Sequence, residues 1–140
     1  MRLLYDAVVL LLIAAFFYIT DPNKCAKGNL LLFVHQIISS FAYFGWLSAN
    51  VYTLLLFVVA VLVCCVCWMF NKNRCVVTQI SNKLCGRPKN AMYHDIWSML
   101  GFKHKKWWTN TVYPFYTIIT VAFAVYKLTN RKKFNLDHKI

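Results

Sequence analysis

The sequence predicts an all-α fold: an integral membrane four-helix bundle with short amphipathic interfacial helices in the loop between spans three and four. Three observations carry this. Four apolar segments lie at about residues 3–19, 30–47, 51–70 and 111–126; they contain one charged residue, Asp6; and all sixteen Lys and Arg lie outside them. Charges are costly in hydrocarbon and cheap in the headgroup layer, so this partition is that of a chain solvated by lipid. A chain of 140 residues that is 60% apolar and only 14% charged also has too little polar surface to cover a soluble core. We therefore treat residues 1–140 as a single membrane domain.

A helix rising 1.5 Å per residue needs roughly 20 apolar residues to cross about 30 Å of hydrocarbon, and each segment is close to that or slightly short. The first has the basic start and apolar run of a signal peptide. It lacks a small-x-small cleavage site before Asp21-Pro22, and Asp6 interrupts its apolar run, so it reads as a retained span. Residues 30–70 are too long for one crossing. Gly45, Ser48 and Asn50 predict a tight reversal there, which makes spans two and three antiparallel neighbours. Span three is apolar almost all round.

Four crossings put both termini on one side and the loops 20–29 and 71–110 on the other. Ten Lys and Arg fall on the loop side and six on the terminus side. Positive-inside bias then predicts cytosolic loops and termini on the opposite face. The net charge of +12 flanks the spans, where anionic lipid headgroups are the nearest counter-charge. The expected partners are the bilayer and other proteins of a membrane-associated assembly, with nucleic acid a lesser option through the loop or the basic tail 127–140.

The loop 71–110 contains two stretches of helical apolar spacing. Val76, Val77, Ile80 and Leu84 form the first, stopped by Gly86 and Pro88; Met92, Ile96, Trp97, Met99 and Leu100 form the second, stopped by Gly101. Both are expected to lie in the interface, apolar face down and cations up. Lys103, Lys105 and Lys106 stand beside Trp107 and Trp108, a set suited to headgroup phosphates and the carbonyl layer. On the terminus side, Arg131, Lys132 and Lys133 are candidate contacts for an acidic partner.

Span two carries a polar stripe, His35, Gln36, Ser39, Ser40 and Tyr43, at three- and four-residue steps. Such groups must face other helices or water, and Tyr116, Thr117 and Thr120 in span four offer a matching surface. The stripe is either interhelical hydrogen bonding or a polar pocket in which His35 is a ligand or proton carrier. Asp6 is expected to pair with Lys127 or Arg131 at the end of span four.

Cys25, Cys64, Cys65, Cys67, Cys75 and Cys85 all fall at the loop side. Cys64 and Cys67 form a C-x-x-C at the end of a span, which resembles the paired cysteines of four-helix thiol oxidoreductases of the vitamin K epoxide reductase and disulfide-generating types. That resemblance implies a redox pair beside a bound quinone. The same thiols suit reversible palmitoylation or simple packing, and Cys75, Cys85, His94 and His104 are zinc-ligand types without paired spacing. Glu is absent and the four Asp are dispersed, so paired-carboxylate chemistry is not expected, nor is a resident metal or cofactor.

The stretch Cys75-Val76-Val77-Thr78-Gln79-Ile80-Ser81-Asn82-Lys83-Leu84 resembles the post-span motif, approximately C-P-L-T-x-x-E-N-x-L, of a family of small four-helix bacterial membrane proteins with no assigned activity. Asp6 also fits that family, while Val76 replaces its proline and Ser81 its acid. The resemblance implies a fold. In general character, short, Lys- and Asn-rich and with many cysteines, the chain also looks like small virion membrane proteins of large icosahedral DNA viruses. This implies an internal-membrane role with a basic surface docked on capsid proteins or packed genome. The expected function is thus structural, a multi-pass protein anchoring a capsid or other protein layer to a bilayer. The alternatives are a membrane thiol–quinone oxidoreductase using Cys64 and Cys67, and a small transporter with a polar pocket in span two.

Overall fold

The computed structural model describes residues 2–22, 24–72, 74–88, 91 and 106–136, with the backbone alone for Arg2 and residues 106–110. Among these residues there are five α-helices: α1 (Arg2–Thr20), α2 (Asn29–Phe44), α3 (Val51–Phe70), α4 (Val76–Leu84) and α5 (Lys106–Thr129). A 3-10 turn, Gly45–Leu47, follows α2. Four helices are long and apolar enough to cross a membrane, over Leu3–Thr20, Asn29–Leu47, Val51–Phe70 and Thr111–Thr129. These are the four expected spans, as in a multi-pass integral membrane protein.

The ends of the helices follow from local chemistry. Asn50 caps α3, its side-chain oxygen accepting from the amides of Tyr52 and Thr53 at 2.9 and 3.1 Å. Ser48 Oγ in turn accepts from the Asn50 amide at 2.9 Å, so the reversal supplies its own partners where water is scarce. Gly45 is needed for close approach: a Cβ there would lie 2.8 Å from the Phe57 ring. At its far end α3 stops when Lys72 turns left-handed at φ 54. The last long helix starts at Lys106, ahead of the apolar segment, and carries Pro114 inside it. A single interior proline removes one backbone bond without ending the helix.

Packing is pairwise. α1 lies against α2, burying Ala14, Phe17 and Leu32, with Tyr18 edge-on to Phe33 at 5.5 Å. α3 lies against α5 around Val51, Leu54, Phe57, Val61 and Ala124. After α5 the chain folds back to bury Leu136, and Phe134 stands edge-on to Tyr126 at 5.6 Å. Outside these seams the long helices present large apolar side chains outward, Phe70 at 88% exposure and Leu30 at 75% among them. That is stable surface only where hydrocarbon is the solvent.

The terminus end is closed by Lys127. Its side chain, 7% exposed, reaches from α5 to the reversal between α2 and α3. The ammonium donates to the carbonyls of Trp46 at 3.2 Å, Leu47 at 3.3 Å and Ser48. Ser48 Oγ donates to the Asp6 carboxylate of α1. The expected Asp6–Lys127 pairing is therefore indirect: both charges converge on one turn with Ser48 between them. Arg131 is not part of it, since its Nε donates to the Leu128 carbonyl at 3.0 Å. The reason is supply, because an ammonium has three protons and the 3-10 turn ends in carbonyls that no helix amide satisfies.

Replacing Lys127 with Met keeps the length of the side chain and strands those carbonyls. The expected cost is about 3 kcal/mol, the scale for breaking a buried, charge-assisted set. Reversible unfolding in mixed micelles measures it, and stability equal to the parent protein would show that the lysine does not hold the turn.

Candidate thiol and imidazole site

The polar stripe of α2 divides into two edges. Gln36, Ser40 and Tyr43 are buried, and His35 and Ser39 are half-buried. Gln36 Nε2 donates to Asp21, itself buried, at 3.2 Å. The Tyr43 carbonyl accepts from Tyr116 OH at 2.5 Å and from Trp46 Nε1 at 2.8 Å. Tyr116 thus spans from α5 to α2 as the stripe implies. Thr120 does not, because its hydroxyl donates within its own helix to the carbonyls of Tyr116 at 3.0 Å and Thr117 at 3.2 Å.

The His35 edge meets α4. This helix runs back along the loop-side half of α2, with Cys75 and Thr78 beside His35 at one end, and Ser81 and Cys85 beside Gly28 and Cys25 at the other. Its polarity is inverted for a water-soluble helix. Thr78, Ser81 and Asn82 face inward, with Ser81 and Asn82 buried, while Val76, Ile80 and Leu84 point outward at 45–47% exposure. Gly86, at φ 66, ends α4 as the sequence predicts. The Arg87 amide returns to the Asn82 carbonyl at 2.8 Å and the Gly86 amide to the Lys83 carbonyl at 3.3 Å.

Cys75 occupies the N-cap position of α4, and its carbonyl accepts from the Gln79 amide at 3.1 Å. Its Sγ lies 3.7 Å from His35 Nδ1, and Thr78 Oγ1 lies 3.4 Å from the same nitrogen. The other ring nitrogen, Nε2, is 3.3 Å from Ser39 Oγ. Burial pushes the Cys75 thiol up, but the hydrogen bond and charge of His35, with the backbone and hydroxyl of Thr78, bring it down from 9.0 to about 7. A thiol at a helix N-terminus beside an imidazole is the environment that favours thiolate.

A disulfide joins Cys25 to Cys85 across 60 residues, Cα to Cα 5.9 Å. Gly28 makes room for it, since a Cβ there would stand 2.5 Å from Cys85 Sγ and 2.8 Å from Ser81 Oγ. The remaining described thiols are free. Cys64 and Cys65 are half-buried near the end of α3, and Cys67 is exposed.

Lys103 and Lys105 lie outside the described residues, and Lys106, Trp107 and Trp108 open α5. Arg131, Lys132 and Lys133 are exposed in the turn after α5, where Lys133 Nζ donates to Tyr126 OH at 3.1 Å. The second expected interfacial stretch, Met92 to Leu100, also lies outside the described residues, as do His94 and His104. The zinc-ligand set is not assembled as drawn, because Cys85 is bridged to Cys25 and stands at the opposite end of α4 from Cys75.

Two features escaped the sequence reading: the His35–Cys75 pair and the Cys25–Cys85 bridge. The one available signal was that His35 and all six cysteines belong to the same end of the molecule.

Because Cys85 Sγ is fixed by its bridge, it cannot swing away from a methyl group at position 28. Gly28→Ala should therefore displace α4 from α2 and lower the bridged fraction at Cys25 and Cys85, read by non-reducing peptide mapping. Complete bridging in that variant would show that the close approach is dispensable. Comparison of the chain with protein-family models, curated proteins and solved structures finds no match.

Proposed function

We propose that this chain is a structural multi-pass membrane protein, a four-helix bundle whose loop end anchors a protein layer to the bilayer. A virion's internal membrane is one setting that suits it. The observation that carries this reading is the inverted polarity of α4. Val76, Ile80 and Leu84 form an outward apolar stripe, with exposed Lys72, Arg74 and Lys83 on the same segment. A short helix of this kind is solvated by acyl chains on one side and by headgroups above. In this reading α4 is embedded at headgroup depth and leans on α2, and the basic residues of 71–110 offer charge to lipid phosphates and to an acidic protein surface.

The disulfide bears on sidedness. Ten basic residues against six is a narrow margin. A structural disulfide between Cys25 and Cys85 belongs in an oxidising compartment, and we give it the greater weight. The loop end is then the non-cytosolic face, and both termini, with Arg131, Lys132 and Lys133, are cytosolic.

Three measurements test these readings. A fluorophore at position 80 should be quenched by lipids brominated along their acyl chains, and an unquenched fluorophore removes the embedded α4. Charge reversal of Lys103, Lys105 and Lys106 to Glu should cut co-purification of the partner layer several-fold, and undiminished recovery removes the anchoring role. For sidedness, a cysteine added after Ile140 should resist a membrane-impermeant maleimide in intact cells, and its labelling would restore the orientation predicted from charge.

A further inference from the structure

We propose that Cys75 is a nucleophilic thiol, with His35 as its proton acceptor, that exchanges with a disulfide presented at the loop end of the membrane. The anchoring role makes no use of this pair, and the C-x-x-C of α3 is not part of it.

The geometry supplies each part such a step needs. Cys75 Sγ stands 3.7 Å from His35 Nδ1, at the N-cap of a nine-residue helix whose free amides favour negative charge. Ser39 Oγ sits 3.3 Å from His35 Nε2, on the far side of the ring. In the tautomer with Nε2–H donating to Ser39, Nδ1 is an acceptor turned toward the thiol, and the Ser39 contact holds the ring plane. Thr78 Oγ1, 3.4 Å from Nδ1, gives a second hydroxyl beside the developing charge. Among the described residues, the groups that act on Cys75 or stand near it are His35 from α2, Cys64 from α3 and Thr78 from its own helix, and none of these is a carboxylate.

The site is reachable. Cys75 is half-buried, and the turn that precedes it exposes Lys72 and Arg74. Two cations at the approach favour an anionic disulfide. The thiol, brought to about 7 by its surroundings, also lies near the optimum for attack at neutral pH, where thiolate fraction and nucleophilicity are best balanced.

His35 Nδ1 takes the Cys75 proton, and the thiolate attacks one sulfur of R–S–S–R′. The Cys75–S–S–R bond forms as the S–R′ bond breaks, and R′–S⁻ leaves, taking up the proton held by His35. The Cys75 sulfur is oxidised and the departing sulfur reduced, so the incoming disulfide is the only co-reactant. The product is a mixed disulfide at the loop end.

The test uses the full chain in nanodiscs with Cys64, Cys65 and Cys67 replaced by Ser, which leaves Cys75 and the Cys25–Cys85 bridge. Glutathione disulfide and a disulfide-cyclised peptide are the two probes, and the mixed disulfide at Cys75 is followed by mass spectrometry from pH 5.5 to 9.5. With His35 intact, the rate should rise to half its maximum near pH 7. In His35→Gln the midpoint should move toward the ordinary thiol value. At pH 7 thiolate then falls from about one half to roughly one per cent, while the more basic thiolate gains about eightfold in nucleophilicity, a net loss of about sixfold. Retention of the Cys25–Cys85 bridge reports that the variant has folded.

Reaction with either probe on this profile supports the proposal, and the faster probe identifies whether the source is a small molecule or a peptide. A midpoint near 9 with His35 intact overturns it without reference to any variant. So does the absence of adduct with both probes, or an unchanged profile in folded His35→Gln.

Discussion

The arrangement of the long helices depends on one ammonium group. Where α2 hands over to α3 the backbone must reverse among apolar side chains, and the carbonyls of residues 46–48 come free of any helix. Lys127 brings three N–H donors to them from the end of α5, and the Ser48 hydroxyl donates a hydrogen bond to Asp6 of α1. One cluster thereby joins α1, the reversal and α5, elements that are far apart in sequence. Ser48, Asn50 and Lys127 are buried by the surrounding helices, so the protein supplies these hydrogen bonds itself.

The two ends of the molecule are held differently. At the terminus end a polar knot is wrapped by an apolar core of Val51, Leu54, Phe57, Val61 and Ala124. At the loop end, the described residues are joined by more specific chemistry: a disulfide, the Gln36–Asp21 hydrogen bond, and a helix whose polar side faces the protein. Next to the knot, the Tyr43 carbonyl near the end of α2 gathers Tyr116 and Trp46.

Much of the frame was legible because lipid imposes a coarse code. Span number, the reversal near Gly45 and Asn50, and the stop at Gly86 all follow from hydropathy and turn chemistry, which act over a few residues. Asp6 and Lys127 could be matched by depth, since a lone buried charge demands a partner, but the serine between them could not be foreseen. The His35–Cys75 pair was out of reach for a plainer reason. Its members belong to a span and to the helix after the next one, and only the direction taken by α4 along α2 brings them together. A reading that laid α4 flat on the membrane had no way to place Cys75 beside a residue inside span two. The C-x-x-C of α3 drew attention because its spacing is visible in one dimension, whereas the imidazole contact is visible only in three.

The way α4 is fastened has a mechanical consequence. It is a strut of nine residues fixed covalently at Cys85 and only by hydrogen bonds at Cys75. A load applied at the Cys75 end turns the strut about its covalent pivot and does not detach it. The greatest travel then falls on the turn that links it to α3, and the loop connecting α1 to α2 stays in place. A bulky group joined to Cys75 would convert local crowding beside His35 into a tilt of the whole strut, largest at Val76 and smallest at Leu84 beside the bridge.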